Sequence, residues 1–317
     1  MAGEDYLIPI FLINGQLESG KTTFISELVK MGQFDSAKKK LLIVCEEGET
    51  EYDEELLKEH GIDLVVLEKD DLTPEKLEEL NAVYDPWVVI MEYNGMWDPG
   101  LIFEISKPNG WRVYQSITIM NAAAFPVQWK NMQSIMAETV KSAESIIFNR
   151  SNLDMDLGYY QRSMRVLNPT VDVVFEDEEG RIMTGIRSIL PYDLDSDPVV
   201  LDDRDFGIWF MDARDKKDDY TGKTYKFKAQ VLKVPQMEKD EFVATRKAMT
   251  CCEDDIALIG YICKYDKASE LNDKDWINIE AEMIYEKKEA YNNEEGPVLI
   301  VRSVERADAP KKEVVTF

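Results

Sequence analysis

The clearest chemistry in the chain sits in eight consecutive residues. Gly15-Gln16-Leu17-Glu18-Ser19-Gly20-Lys21-Thr22 fits G-x-x-x-x-G-K-[ST]. Glycines in such a loop let backbone N–H groups turn inward around phosphates. The start of the following helix adds a partial positive charge. In this pattern Lys21 reaches the β- and γ-phosphates and the Thr22 hydroxyl binds Mg²⁺, while Gly15, Ser19, Gly20 and Thr23 complete the loop. Glu18 would be repelled by a triphosphate, so it is expected to point to solvent.

A second cluster is Cys251-Cys252, followed by Glu253-Asp254-Asp255. Adjacent cysteines beside carboxylates suit a soft metal such as Zn²⁺ or a redox pair, with Asp255 or Cys263 completing a metal shell. The same residues also suit a packed core, where cysteine acts as a small hydrophobe. His60 is the single histidine, which excludes a site built from several.

The elements that must position these residues follow from periodicity. Residues 6–14, 40–45, 63–67, 87–92, 116–120 and 145–148 read as short β-rich runs. Helical stretches separate them at 22–31, 52–60, 74–84, about 121–140 and 156–167. Such alternation predicts an α/β fold with a mostly parallel sheet covered on both faces. Glu92 then ends a strand at the carboxyl edge of the sheet, where a nucleotide lies. It is placed to hold Mg²⁺ through water or to orient an attacking water.

Beyond residue 176 the pattern changes. Residues 176–205 carry ten acidic and three basic residues with two prolines, and are expected to form a hairpin and an acidic connector. From residue 220 the period becomes two, with about five strands and no strong helix. That predicts a small β-rich, barrel-like domain of OB-like form. The expected division is a P-loop domain at 1–190, a connector at 191–218 and a β-rich domain at 219–317.

Composition narrows the partners. The chain has 317 residues, 37 basic and 62 acidic, for a net charge of −25. That charge disfavours nucleic acid and anionic membrane surfaces. No apolar run nears the roughly 20 residues that span a bilayer, and the first residues lack the basic region of a signal peptide. The expected location is therefore cytoplasmic, with the cysteines as thiols.

Over residues 6–170 the sequence resembles the CobW/HypB/UreG family of metal-associated P-loop GTPases. The resemblance rests on GQLESGKTT, EEGETEYD, MEYNGMWDP, FNRSN and the Leu167-Asn168-Pro169 that closes it. It implies that Glu46, Gly48 and Asp53 belong to a switch segment. It also implies that Glu92 and Gly95 form the family's E-x-x-G, and that Asn149, Arg150 and Asn152 stand in its base-recognition motif, N-K-x-D. The chain departs from the pattern in three ways, one being that it has no histidine-rich segment. The family's C-x-C-C metal motif is absent after Asp53, and Asn152 replaces the aspartate that accepts from guanine, which weakens guanine selectivity. Residues 219–310 resemble the C-terminal domain of YcgQ-like soluble subunits of two-component permeases, through Y-x-G-K and Arg246…Cys251-Cys252…Asp255. Together the resemblances imply a Mg²⁺-dependent, slowly hydrolysing GTPase that handles a metal or small solute with a membrane permease, peripheral at the membrane. A homodimer is among the expected partners. The alternative is a degenerate, non-enzymatic nucleotide module whose barrel binds a partner protein or a soft metal.

Overall fold

The computed structural model describes residues 7–45, 48, 50–184, 190–235, 237–249 and 256–317. The chain divides into two compact units, 1–157 with 167–186, and 158–166 with 187–317.

From the N-terminus the elements through residue 175 are β1 (Ile8–Asn14), α1 (Lys21–Lys30), β2 (Lys40–Val44), α2 (Glu54–Glu59), β3 (Ile62–Val66), α3 (Pro74–Tyr84), β4 (Val88–Glu92), α4 (Gly100–Glu104), β5 (Trp111–Asn121), α5 (Phe125–Ser142), β6 (Ser145–Asn149), α6 (Leu157–Leu167) and β7 (Asp172–Phe175), all but most of α6 belonging to the first unit. Its seven strands form one sheet in the order β3-β2-β4-β1-β5-β6-β7. Every pairing in it is parallel. The sheet is therefore more uniform than the mostly parallel one expected.

Alternate residues of the central strands serve two cores, as a period of two requires. Ile10, Leu12, Leu41, Ile43, Val89 and Met91 pack on one face with Leu77 and Leu80 of α3. Ile13, Leu42, Val44, Val88 and Ile90 pack on the other with Ile25 and Val29 of α1 and Leu57 of α2. Coverage of both faces is why β2 and β4 read as unbroken apolar runs. Helix starts are marked locally. Asp53 caps α2 by accepting from the Glu55 and Leu56 amides, and Thr73 caps α3 ahead of Pro74.

The second unit continues with β8 (Val199–Val200), α7 (Phe206–Asp215), α8 (Lys217–Tyr220), β9 (Thr224–Leu232), β10 (Glu241–Met249), β11 (Ile256–Lys264), β12 (Trp276–Lys287), β13 (Glu295–Arg306) and β14 (Val314–Val315). Five strands close on themselves in the order β9-β10-β11-β13-β12-β9, with β11 and β13 parallel. Counted from β9 this is 1-2-3-5-4-1, a five-stranded closed barrel of the OB-like form expected. Tyr225, Phe227, Ala229 and Val231 of β9 point into the barrel core with Ile277, Ile279, Ala281 and Met283 of β12.

Residues 191–218, expected as an acidic connector, build part of this unit. Val199, Leu201, Phe206 and Trp209 are buried in the barrel core, and the Trp209 ring lies 4.9 Å from Phe227 and 5.2 Å from Tyr261. Phe206, Trp209 and Ala213 recur at helical spacing, so α7 has an apolar face. The surrounding aspartates hide that stripe from any count of composition. Residues 158–166 of α6 also group with this unit.

Candidate nucleotide site

The register of the first sheet brings its chemistry to one edge. Ile13 pairs with Glu92, Asn14 with Thr118, and Asn121 with Asn149, so β1 and β4 end within a residue of each other and β5 and β6 run three residues further at the same edge. The 15–22 loop leaves β1 there. Its first turn is fixed by the Asn14 carboxamide oxygen, which accepts from the Gly15 amide at 2.7 Å. The loop ends at Gly20, whose φ of 99° lies in the left-handed region that a side chain avoids. A Cβ on Gly20 would also sit 2.7 Å from Asn149 Nδ2. That Nδ2 donates to the Ser19 carbonyl at 2.7 Å, which ties β6 to the loop.

Lys21 opens α1 and is buried, with Nζ donating to the Gly15 carbonyl at 2.8 Å and the Gln16 carbonyl at 3.1 Å. The ammonium is thus held on the loop itself. Thr22 follows, and its hydroxyl donates to Glu92 Oε1 at 2.9 Å. Glu92 is buried, and its Oε2 accepts from the Tyr52 hydroxyl. Burial first, then the neighbouring Glu92 charge, raises the Tyr52 pKa far above the phenol range, so Tyr52 remains a donor.

A pocket of about 340 Å³ opens beside these groups, lined among others by Lys21, Thr22, Thr23, Glu92, Asn121, Gln128 and Arg150. The residues present fit a Mg²⁺–triphosphate pair. Ser19 Oγ is buried with no hydrogen-bond partner in the loop that would cradle the phosphates. The hydroxyl of Thr22 and the carboxylate of Glu92 form a hard oxygen donor set of the kind Mg²⁺ takes.

The remaining expected site residues are placed unevenly. Gly15, Ser19, Gly20, Lys21, Thr22 and Glu92 come together as described. Glu18 is exposed with a φ of 60°, and it lines the same pocket rather than standing clear of it. Gly48 lines the pocket, and Gly95 is buried against the Gly15 backbone. Asp53 is exposed and its carboxylate caps α2. Arg150 lines the pocket with a φ of 54°, whereas Asn152 is exposed and its Oδ1 accepts from the Asp154 amide at 3.0 Å. Asn152 therefore turns its acceptor into its own loop. Glu46 lies outside the described residues.

Cys251, Cys252 and Asp255 also lie outside the described residues, between the end of β10 and the start of β11. Cys263 lies in β11, within the described residues. It pairs with Phe242 at the far end of the β10–β11 hairpin, seven residues along from Ile256. At ~3.4 Å per residue that is roughly 24 Å away. Its thiol is fully buried, and burial pushes its pKa up, away from the thiolate a metal needs. Among the described residues no group of three or more His, Cys, Asp or Glu is arranged to hold a metal ion.

Sequence reasoning missed Tyr52, Asn121 and Gln128. Asn121 ends β5 at the same sheet edge as Glu92, so the strand-end rule that found Glu92 could have found it. Tyr52 carried no comparable signal.

Residues 9–175 match the CobW/HypB/UreG nucleotide-binding domain. Residues 181–315 match the DUF1980 C-terminal domain. No curated protein matches. Among solved structures, the chain is similar to Zn(II)-bound YjiA GTPase from E. coli at 13% identity, covering 96% of this chain and 91% of that one with a TM-score of 0.42. It is similar to the hydrogenase maturation factor HypB from Archaeoglobus fulgidus at 14% identity, covering 55% of this chain and 83% of that one with a TM-score of 0.40. HypB from Helicobacter pylori in complex with nickel is 13% identical, with 55% and 80% covered and a TM-score of 0.36. The first family match spans more than half of the 317 residues and ends with β7, the last strand of the parallel sheet; the chain belongs to the CobW/HypB/UreG nucleotide-binding family and carries a DUF1980 C-terminal domain behind it.

Proposed function

We propose that the chain binds GTP with Mg²⁺ at residues 15–23 and hydrolyses it slowly to a nucleoside diphosphate and phosphate. The observation that carries this reading is the meeting of Thr22 and Glu92 at 2.9 Å beside the buried Lys21. Loop amides and the N-terminus of α1 bind the phosphates. Lys21 exchanges two loop carbonyls for phosphate oxygens and supplies a point charge there. Thr22 and Glu92 would hold Mg²⁺, which supplies neutralisation of charge on the β- and γ-oxygens when bound. Glu92 also stands where a carboxylate can orient the attacking water. Segment 46–53 leads from β2 to the Asp53 cap of α2, so contacts made there on nucleotide binding would order or release the start of that helix.

The C-terminal resemblance to permease subunits supports a role in metal or small-solute handling at the cytoplasmic face of a membrane permease. No helix among the described residues is long and apolar enough to cross a membrane, so membrane contact in this proposal runs through that permease. The second reading, a nucleotide module without turnover, is favoured by one observation: Asn152 spends its acceptor within its own loop. Phosphate release from GTP, with Mg²⁺ and with EDTA, separates the two. Mg²⁺-dependent release that drops in Glu92→Gln while binding persists supports the GTPase. Tight binding with no release supports the module.

A further inference from the structure

Glu92 presents two carboxylate oxygens to the site, and both are taken. Oε1 accepts from Thr22 and Oε2 from Tyr52. The Thr22 contact is compatible with a bound metal, because a hydroxyl can donate its proton to a carboxylate while its lone pair faces a cation. The Tyr52 contact is not equivalent. Mg²⁺ usually keeps several of its waters, and a carboxylate that holds it indirectly accepts from one of them. The phenol hydroxyl already donates to Oε2, one of the two oxygens such a water could use, and its ring crowds that oxygen.

We propose that Tyr52 competes with Mg²⁺ for Glu92: its hydroxyl engages Oε2, Mg²⁺ binding displaces it, and the displacement is transmitted to α2. The proposal rests on the reading of residues 15–23 and Glu92 as a Mg²⁺–triphosphate site. Two further observations support it. The residue after Tyr52 is Asp53, whose carboxylate caps α2 through the Glu55 amide at 2.9 Å and the Leu56 amide at 3.3 Å. A shift of Tyr52 therefore pulls directly on that cap. There is also room for the ring to leave. A cavity of about 610 Å³ adjoins it, walled by Val44, Leu57, Leu64 and Val66. The competition makes loading selective, because nucleotide without metal leaves Tyr52 on Glu92 and nucleotide with metal does not.

Calorimetric titration of GTP into wild type and Tyr52→Phe, across a Mg²⁺ series and in EDTA, tests this. The phenylalanine keeps the ring and removes the competing donor. The expected result is equal GTP affinity in EDTA and a Mg²⁺ half-saturation about tenfold lower in the variant, as a hydrogen bond to a charged group implies. Half-saturation within twofold of wild type, or higher, overturns the proposal while leaving the nucleotide site standing. A wild type that binds no GTP under either condition removes the nucleotide site and this proposal with it. Hydrogen exchange on the wild type gives a second reading that needs no variant. The Glu55 and Leu56 amides should lose protection with Mg²⁺ and GTP together but not with GTP in EDTA, and equal protection in both overturns the proposal.

Discussion

Gly95→Ala puts the coupling between the end of β4 and the phosphate loop to a direct test. A Cβ at Gly95 would lie 2.2 Å from the Gly15 carbonyl oxygen, 2.6 Å from its carbon and 2.9 Å from Gln16 Cα. All three are backbone atoms, so no rotamer change relieves the clash. The segments must separate by about 1 Å to reach a tolerable contact. Such a shift lengthens an amide–phosphate hydrogen bond from about 2.9 Å to about 3.9 Å, which abolishes it. Two lost bonds to a charged group, at about 1.5 kcal/mol each, give about 3 kcal/mol. That corresponds to roughly a 100-fold loss of affinity for GTP. Gln16→Leu removes only the donation from Gln16 Nε2 to the Gly95 carbonyl at 3.1 Å and should cost less. Calorimetry with Mg²⁺ and GTP measures both variants, with circular dichroism as the check on folding. A dissociation constant within threefold of wild type for a folded Gly95→Ala would show that the 92–95 turn does not brace the loop.

Three further expectations can be measured on the full chain. Lys21→Ala should lose at least ~100-fold in triphosphate affinity, since a charged contact to both phosphates disappears, with little change in melting temperature; unchanged affinity removes the P-loop assignment. Asn152→Asp should raise the preference for GTP over ATP about tenfold, because one oxygen can keep the Asp154 amide while the second faces outward, and an unmoved ratio shows that this loop does not reach the base. Zn²⁺ should bind wild type more weakly as pH falls, because protons compete for thiolates, and should not bind the Cys251→Ala/Cys252→Ala variant; a metal-free wild type ends the metal reading.

The parts of the site that were legible in the sequence are those fixed by local chain geometry. A glycine loop between an apolar strand and a helix has one productive conformation, so Lys21 and Thr22 could be placed by motif alone. Glu92 was legible because an apolar strand must end at the sheet edge. Tyr52 was not, because its partner is 40 residues away and no spacing rule links a loop tyrosine to a strand-end carboxylate. The barrel divides the same way. Alternation along β9 and β12 could be read from side-chain period, but the β9–β10 pairing that closes the barrel is a matter of register. Register is also what sets Cys263 opposite Phe242, seven residues along β11 from Ile256. In α7 a helical stripe was present, and the acidic residues around it outweighed it.

The Arg246…Cys251-Cys252…Asp255 block illustrates how a motif can split into parts with different physical duties. Arg246 lies within β10 and is fully buried. Its guanidinium reaches Asp203 at 3.2 Å and the Lys312 carbonyl at 3.1 Å, and stacks 5.4 Å from the centre of the Trp276 ring. It thereby ties together the segment before α7, the residues before β14 and the start of β12. A buried cation is costly unless paired, and removing such a partner costs about 3–5 kcal/mol. Pairing satisfies the two terminal nitrogens, while Nε is buried without a hydrogen-bond partner. Cys263, by contrast, is enclosed in the barrel core opposite Phe242. Burial raises its thiol pKa, away from the thiolate a soft metal takes, so zinc binding that is lost in the Cys251→Ala/Cys252→Ala variant would be assigned to residues 251 and 252.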